Sequence, residues 1–296
     1  MKYTILWIDD QYDEQEGMFD LAHANDIELI PHKTSKSGRE DLEANFWKYD
    51  GVILDAKVFD ETEDEVAGIE GMYRAIHRLK ELTSKRVLPF FVFTGQQDLL
   101  DSTTFAQSLP GIKIYKKGID TNQLMTVVKS AADALPETQI RHKYSDVFSI
   151  FTSGYLPPSL EHQVLELIKS ELPTDKVVIK SMLVNIRSIH ESCMLRLAEI
   201  GILPTPPPAR FIDKVRHLSG NKKKENDYKA ASKEYQNESI ENLQKWLYFT
   251  CGSYIHNLDD EKYKGYMISK YAMESLRSGL LEVLLWFKKI NEENSK

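Results

Sequence analysis

The stretch Gly51-Val52-Ile53-Leu54-Asp55 decides the fold that this sequence predicts. It is a short apolar run that ends in a carboxylate, which is typical of a strand buried on both faces of a parallel sheet. In an open α/β sheet, ligands bind in the crevice beyond the carboxyl ends of the strands. An acid at that end points into the crevice, so Asp55 is the first candidate for a functional residue.

Apolar strands and amphipathic helices alternate on both sides of this stretch through the first half of the chain. The pattern predicts strands at residues 3–8, 27–30, 51–55, 89–93 and 112–115, and helices at 14–24, 39–47, 66–82, 99–109 and 121–135. Such alternation indicates βαβ units with right-handed crossovers. We therefore expect a doubly wound parallel sheet that carries helices on both faces.

Polar residues follow four of the five predicted strands. They are Asp9 and Asp10, then Asp55, then Thr94, then Lys116 or Lys117. The carboxyl ends of parallel strands meet at one edge, so two acids, a third acid, a hydroxyl and an amine are brought together there. Four strands that deliver this set to one edge are a specific signal of a functional site.

Two kinds of chemistry fit this set of side chains. Three close carboxylates raise one another's pKa, and a hard cation such as Mg²⁺ removes the conflict, with Asp10 and Asp55 as direct ligands and Asp9 acting through water. A carboxylate is also a nucleophile toward phosphorus and forms an aspartyl phosphate. Phosphoryl transfer depends on positioning and charge neutralisation, which a lysine ammonium and the Thr94 hydroxyl supply.

Residues 1–135 resemble the receiver domain of two-component response regulators. The matching stretches are Ile5-Leu6-Trp7-Ile8-Asp9-Asp10, Val52-Ile53-Leu54-Asp55, Val92-Phe93-Thr94-Gly95 and Ile114-Tyr115-Lys116-Lys117-Gly118. The resemblance implies a flavodoxin-like (βα)5 fold, and it implies that Asp55 accepts a phosphoryl group from a histidine kinase or a phosphotransfer protein. It also implies a Mg²⁺ site.

The resemblance assigns further roles residue by residue. The Mg²⁺ ligands would be Asp9, Asp10, Asp55 and the backbone carbonyl of Lys57, and Thr94 would be the switch hydroxyl. The family lysine usually precedes a proline. Because Gly118 stands in that place, Lys117 is the first choice for this lysine and Lys116 the alternative.

The sequence departs from the family pattern after Asp55. Where the family often has a Met-Pro pair, this chain has the longer and strongly acidic segment Lys57–Glu65. Its charge either disfavours phosphate or holds the metal more tightly, and both interpretations stay open. The competing interpretation of the first half is a flavodoxin-like domain whose strand-end polar residues only cap helices, because acids are common at helix N-termini.

The second half, residues 136–296, loses the strand pattern and predicts an all-α bundle of five or six helices. The helices are expected at residues 160–172, 177–200, 209–218, 239–256 and 266–289. Residues Leu203–Pro208 contain four prolines and must interrupt the helices. We therefore expect a receiver domain, residues 1–135, followed by an all-helical output domain, residues 136–296.

The output of the bundle has three interpretations. The first is a module that binds a partner or forms a homodimer. The second is a ribonuclease, because Tyr254-Ile255-His256-Asn257 loosely resembles the HEPN superfamily, although no arginine lies four to six residues before His256. The third is a DNA-binding regulator, in which the basic cluster Lys222–Lys224 would contact phosphate.

The composition restricts these choices. A formal net charge of −7 argues against general nucleic-acid binding, so a protein partner is favoured. Both cysteines, Cys193 and Cys251, lie outside any CxxC pair and are expected to be buried, reduced thiols. Asp9 and Asp10 come too early for a signal peptide, and no apolar stretch is long enough to span a membrane. We therefore expect a cytoplasmic protein without a membrane partner.

Overall fold

The chain divides into two units, Met1–His142 and Lys143–Lys296, in a computed structural model that describes residues 2–84, 86–171, 175–220, 231–257 and 268–294. The sequence predicts the division at residue 135, before the helix Pro136–Lys143. That helix is anchored on the first unit, because Thr138 and Arg141 bond to the side chain of Asp50. The division consequently falls at its end.

The first unit is built on a five-stranded parallel sheet, as the sequence predicts. Its strands are β1 Tyr3–Ile8, β2 Ile27–His32, β3 Gly51–Leu54, β4 Phe90–Thr94 and β5 Ile114–Lys116. Their order is β2-β1-β3-β4-β5, which is the flavodoxin-like order. The register pairs Ile8 with Leu54 and Thr94 with Lys116. The carboxyl ends of β1, β3, β4 and β5 therefore lie side by side at one edge of the sheet.

Both faces of the sheet are buried. The helices are α1 Glu16–Ala24, α2 Ser35–Ala44, α3 Ile69–Glu81, α4 Gln97–Leu100, α5 Thr103–Ser108, α6 Thr121–Asp133 and α7 Pro136–Lys143. Along β1, Leu6 and Ile8 pack into one core with residues of α2 and α3, and Ile5 and Trp7 pack into the other with residues of α1 and α6. Each fully buried aliphatic side chain contributes about 1.5–3 kcal/mol, which explains why every residue of the β3 strand is apolar or glycine.

Two predicted helices of the first unit differ from the structure because of capping side chains. The predicted helix 39–47 begins earlier, at Ser35, where the hydroxyl of Thr34 accepts a hydrogen bond from the backbone of Ser37 at 3.1 Å. The predicted helix 99–109 is two short helices, because Ser102 ends the first and caps the second by accepting from the backbone of Phe105. Serine and threonine in these places are local signals of helix starts.

Helix α2 lies close to the carboxyl end of β1. A Cβ atom added to Gly38 would lie 2.4 Å from Cδ1 of Ile8, the residue that precedes Asp9. Glycine allows this approach, whereas a larger residue would require the Ile8 side chain to move.

The described residues of the second unit form six helices and no strand, in agreement with the predicted all-α bundle. They are α8 Ser145–Thr152, α9 Pro158–Lys169, α10 Lys176–Glu199, α11 Phe211–Leu218, α12 Glu238–Asn257 and α13 Lys270–Asn294. The sequence assigned no helix to α7 or α8. The long helices α10, α12 and α13 pack on one another and enclose the apolar core.

A chain of buried polar side chains crosses this core. His190 Nε2 lies 3.1 Å from the side-chain oxygen of Gln244, Gln244 donates to Gln236, and Gln236 donates to the carbonyl of Val215 at 2.8 Å. Burial lowers the pKa of His190 to about 4, so the ring is neutral at pH 7. His190 is therefore a hydrogen-bonded core residue.

The sequence also led to predictions about the cysteines and a basic cluster of the second half. Cys193 and Cys251 are buried free thiols, as expected. The basic cluster Lys222–Lys224 lies outside the described residues. Among the described residues, no helix combines the length and the apolar character that a membrane span requires.

Candidate functional site

The polar residues that follow the strands converge at one edge of the sheet. Asp9 follows β1, Asp55 follows β3, Thr94 ends β4, and Lys117 follows β5. Backbone hydrogen bonds continue the ladder past the strand ends, from Asp55 N to Ile8 O at 2.8 Å and from Lys117 N to Thr94 O at 2.9 Å. The parallel register therefore sets these side chains side by side.

Three carboxylates form the centre of the site. One oxygen each of Asp9, Asp10 and Asp55 lies within 4.8 Å of the others. Asp9 is fully buried, the exposed fraction of Asp55 is 4%, and Asp10 is half-buried at the rim. Such a set of oxygen donors, with one partly open member, suits a small hard cation that keeps water or phosphate oxygens among its ligands.

Lys117, and not Lys116, reaches the acids. Its Nζ lies 2.5 Å from Oδ2 of Asp55 and 2.7 Å from Oδ2 of Asp9. The side chain of Lys116 instead donates to the side-chain oxygen of Gln97 at 2.7 Å. Successive residues at a strand end point to opposite sides, so only one of two adjacent lysines can face the site.

One ammonium shared by two buried carboxylates explains the pKa directions. Burial raises the pKa of Asp55 to about 6; the charge of Asp9 adds to this effect, whereas Lys117 and a hydrogen bond from Thr94 oppose it. Burial and the charge of Asp9 likewise raise the pKa of Asp10. Burial by itself would lower the pKa of Lys117, but the charges of Asp55 and Asp9 outweigh it and raise that pKa. The single ammonium of Lys117 therefore neutralises only part of the negative charge of the three acids.

Thr94 links the acids to the next loop. Its side chain is fully buried, its hydroxyl donates to Asp55, and it accepts a hydrogen bond from the backbone N–H of Gln96 at 3.2 Å. Thr94 therefore connects the carboxylate of Asp55 to the backbone just before α4.

Comparison with solved structures found likenesses to part of the chain. Three similar solved structures are a response regulator receiver domain protein from Clostridium thermocellum, the signal receiver domain of a putative Luxo repressor protein from Vibrio parahaemolyticus, and full-length FixJ from B. japonicum. Their sequence identities are 20%, 14% and 17%, and their TM-scores 0.33, 0.34 and 0.34. The likenesses cover 44%, 48% and 60% of this chain, and 94%, 96% and 79% of those chains.

The strand order of the first unit is that of a flavodoxin-like fold. No protein-family model matches the chain, and no curated protein matches it. The chemistry of the first unit is therefore argued from its own side chains.

The acidic segment Lys57–Glu65 of the first unit forms ion pairs with neighbouring helices. Asp60 pairs with Arg74 of α3 at 2.8 Å, and Glu61 pairs with Lys36 of α2 at 3.1 Å. Arg39 of α2 lies 3.6 Å from both acids. Cations of α2 and α3 thus balance the first two acids of the segment.

Several site residues of the first unit were not predicted from the sequence. Both Gln11, through its backbone N–H, and Gln15, through its side-chain amide, donate to the carboxylate of Asp9 at 3.0 Å. The Lys57 side chain donates to Asp98 at 2.9 Å and to Gln96 at 3.4 Å. Neither spacing nor residue type gives a signal for these contacts, because they depend on how separate loops meet.

The remaining predicted site residues are Lys57, His256 and Asn257. The backbone N–H of Lys57 lies 3.4 Å from Oδ1 of Asp55, and its carbonyl stays a prediction as a metal ligand. The backbone of His256 and Asn257 lies in the last turn of α12, and their side chains lie outside the described residues. None of the comparisons supports a resemblance to the HEPN superfamily, which stays a prediction.

The carboxylate cluster leads to a prediction about magnesium. We expect MgCl₂ to raise the unfolding free energy of the wild type by about 2.7 kcal/mol at a concentration one hundred times the Kd. The Asp10→Asn variant should gain much less, because it loses one of the three charges that attract the cation. Thermal or urea unfolding in EDTA and in MgCl₂ measures this. Asp20→Asn, at an exposed acid of α1, is the control and should gain as much as the wild type.

Proposed function

We propose that the first unit, Met1–His142, acts as a receiver domain that accepts a phosphoryl group on Asp55 from a histidine kinase or a phosphotransfer protein, and that this modification controls the helical unit. The observation that carries the proposal is the environment of Asp55. Its carboxylate is almost fully buried, bonds to Lys117 at 2.5 Å and to Thr94, and lies within 4.8 Å of two further acids.

The chemistry follows from these contacts. A carboxylate oxygen of Asp55 attacks phosphorus in line with the bond to the donor nitrogen, and that nitrogen leaves with the bonding electrons. Lys117 moves from the carboxylate to a phosphoryl oxygen, and the Thr94 hydroxyl donates to another, so the added charge has two partners. Asp9 and Asp10 stay in place and keep the site anionic.

The three acids also fit a Mg²⁺ ion. Asp9, Asp10 and Asp55 would hold it, together with the carbonyl of Lys57. When bound, Mg²⁺ neutralises the carboxylates and favours the ionised, nucleophilic form of Asp55. Lys117 then needs to balance less of the acidic charge and is available to the phosphoryl group.

Intact mass of the full chain after incubation with acetyl phosphate tests the proposal. We expect a phosphate-sized gain in MgCl₂, no gain in EDTA, and loss of the gain in hydroxylamine, which cleaves acyl phosphates. A gain that survives hydroxylamine would place the phosphoryl group on another type of residue. No gain from acetyl phosphate or from a panel of autophosphorylated histidine kinases would contradict the proposal.

The two lysines at the end of β5 give a matched pair of variants. Lys117→Met should slow phosphoryl incorporation by about 10²-fold, because it removes a charge aimed at the transferred group. Lys116→Met should leave the rate near that of the wild type, because its ammonium contacts Gln97 instead. Initial rates of mass gain at fixed acetyl phosphate and Mg²⁺ measure both. A larger loss in Lys116→Met would reverse the assignment.

For the helical unit we propose protein binding or homodimerisation as the output. Trp246 and Phe249 lie one turn apart on α12 with exposed fractions of 38% and 54%, and exposed aromatic side chains are enriched at protein interfaces. Sedimentation velocity of the unmodified and phosphorylated chain tests dimerisation. No observation among the described residues favours the ribonuclease or DNA-binding alternatives, which stay predictions.

A further inference from the structure

Lys57 connects the loop after Asp55 to the start of α4. Its ammonium donates to Oδ2 of Asp98 at 2.9 Å and lies 3.4 Å from the side-chain oxygen of Gln96. Its backbone N–H is 3.4 Å from the carboxylate of Asp55. One residue therefore contacts both the acceptor acid and the loop that follows β4.

The same loop is held from two other directions. The backbone N–H of Gln96 donates to the hydroxyl of Thr94, which in turn donates to Asp55. The ammonium of Lys116 donates to the side chain of Gln97 at 2.7 Å. The conformation of residues 96–98 is thus coupled to whatever occupies Asp55.

The Lys57–Asp98 pair is exposed to solvent. The side chains are 29% and 63% exposed, and an exposed ion pair of this kind contributes little because water screens it. A phosphoryl group carries about −1.5 to −2 charge at pH 7 and three strong acceptor oxygens. The Lys57 side chain spans roughly 6 Å from Cα to Nζ, given bonds of about 1.5 Å, which is enough to reach a group on Asp55 from the neighbouring backbone.

We propose that Asp98 and a phosphoryl group on Asp55 compete for the ammonium of Lys57, so that phosphorylation releases the Gln96–Asp98 turn from the loop after β3. The proposal rests on the proposed function and adds a specific ion-pair exchange to it. In the unmodified chain, Asp98 keeps Lys57 away from the acceptor. In the phosphorylated chain, Lys57 bonds to the phosphoryl oxygens and Asp98 faces solvent.

The competition can be measured as a change in the affinity for beryllofluoride, which mimics a phosphoryl group on a carboxylate. Asp98→Asn removes the competitor, so it should tighten beryllofluoride binding at fixed Mg²⁺ by roughly two- to five-fold. Lys57→Gln should weaken binding. In the double variant, the Asp98 substitution should have no further effect, because there is no ammonium left to compete for.

Asp101→Asn is the matched control. Asp101 is an exposed acid directly after α4 that bonds to Gln97 and not to Lys57, so its neutralisation should leave the affinity unchanged. Hydrogen exchange provides a second measurement. Beryllofluoride should raise the exchange of residues 96–102 in the wild type, and Asp98→Asn should show raised exchange before any addition.

The outcomes separate this inference from the proposed function. If beryllofluoride binds neither the wild type nor any variant, the proposed acceptor role of Asp55 is contradicted. If the wild type binds it but Asp98→Asn binds no more tightly, or if Asp98→Asn has the same effect with Gln at position 57, the ion-pair exchange is wrong and the acceptor role stands. An equal change in Asp101→Asn would reduce the effect to general surface charge.

Discussion

Replacing Asp55 with asparagine is expected to abolish phosphoryl incorporation from acetyl phosphate in the presence of Mg²⁺. The amide keeps the size and shape of the carboxylate but provides no anionic oxygen for attack on phosphorus. It also removes one of the three charges that would hold the cation. This is the largest effect that the site predicts, because the substitution removes the proposed acceptor itself.

Loss of activity in this variant should not come from loss of the fold. Burial raises the pKa of Asp55, so the ionised carboxylate is unfavourable in the metal-free protein, and Asp9 remains as the partner of Lys117. We therefore expect Asp55→Asn to unfold at a temperature no lower than that of the wild type in EDTA. Intact mass and thermal unfolding of the same sample measure both properties.

The control for this experiment is Asp64→Asn, at an exposed acid in the loop after β3. Its mass gain should equal that of the wild type. A phosphate-sized gain in Asp55→Asn would mean that another residue is the acceptor. Equal losses in both variants would assign the effect to the negative charge of the region rather than to Asp55.

The largest stability effect is expected from Asp50→Ala, at the opposite edge of the sheet from the site. The Asp50 carboxylate accepts from Thr4 N at 2.9 Å, from Thr138 Oγ1 at 2.6 Å and from Arg141 Nη1 at 3.2 Å. The side chains of Asp50 and Arg141 are only 6% and 10% exposed. Removing one partner of a buried pair leaves an uncompensated charge, which costs about 3–5 kcal/mol.

Urea unfolding of the full chain, followed by tryptophan fluorescence and by hydrogen exchange of residues 136–142, tests this expectation. In Asp50→Ala, helix α7 should lose its protection from exchange. The Asp50→Ala/Arg141→Leu variant should recover part of the stability, because it also removes the buried charge. A loss below about 1 kcal/mol with unchanged protection of α7 would mean that apolar packing alone anchors the helix.

The sequence was sufficient for the parallel sheet because its signal is local. A strand buried on both faces is apolar along its length, so Ile5–Ile8 of β1 and the strands β3 and β4 are recognisable as apolar runs with a polar residue at the end. The long helices α10 and α13 are visible for a similar reason, since each repeats apolar residues at helical spacing over more than twenty positions.

Helix α7 shows where such reasoning fails. Its eight residues, PETQIRHK, contain one isoleucine and no apolar stripe, so periodicity gives no signal. What holds it is a set of buried polar contacts with Asp50, some 90 positions earlier in the chain. A boundary predicted at residue 135 separates this helix from the unit on which it packs.

The sequence by itself determined which residues end the strands, and therefore that Asp9, Asp10, Asp55, Thr94 and a lysine meet at one edge. Only the tertiary structure decided that Lys117 reaches the acids while Lys116 binds Gln97, and that Lys57 pairs with Asp98. The physical reason is that a residue's place along a strand is set by local pattern. The direction and partner of a long side chain beyond the strand end are set by loops that are distant in sequence.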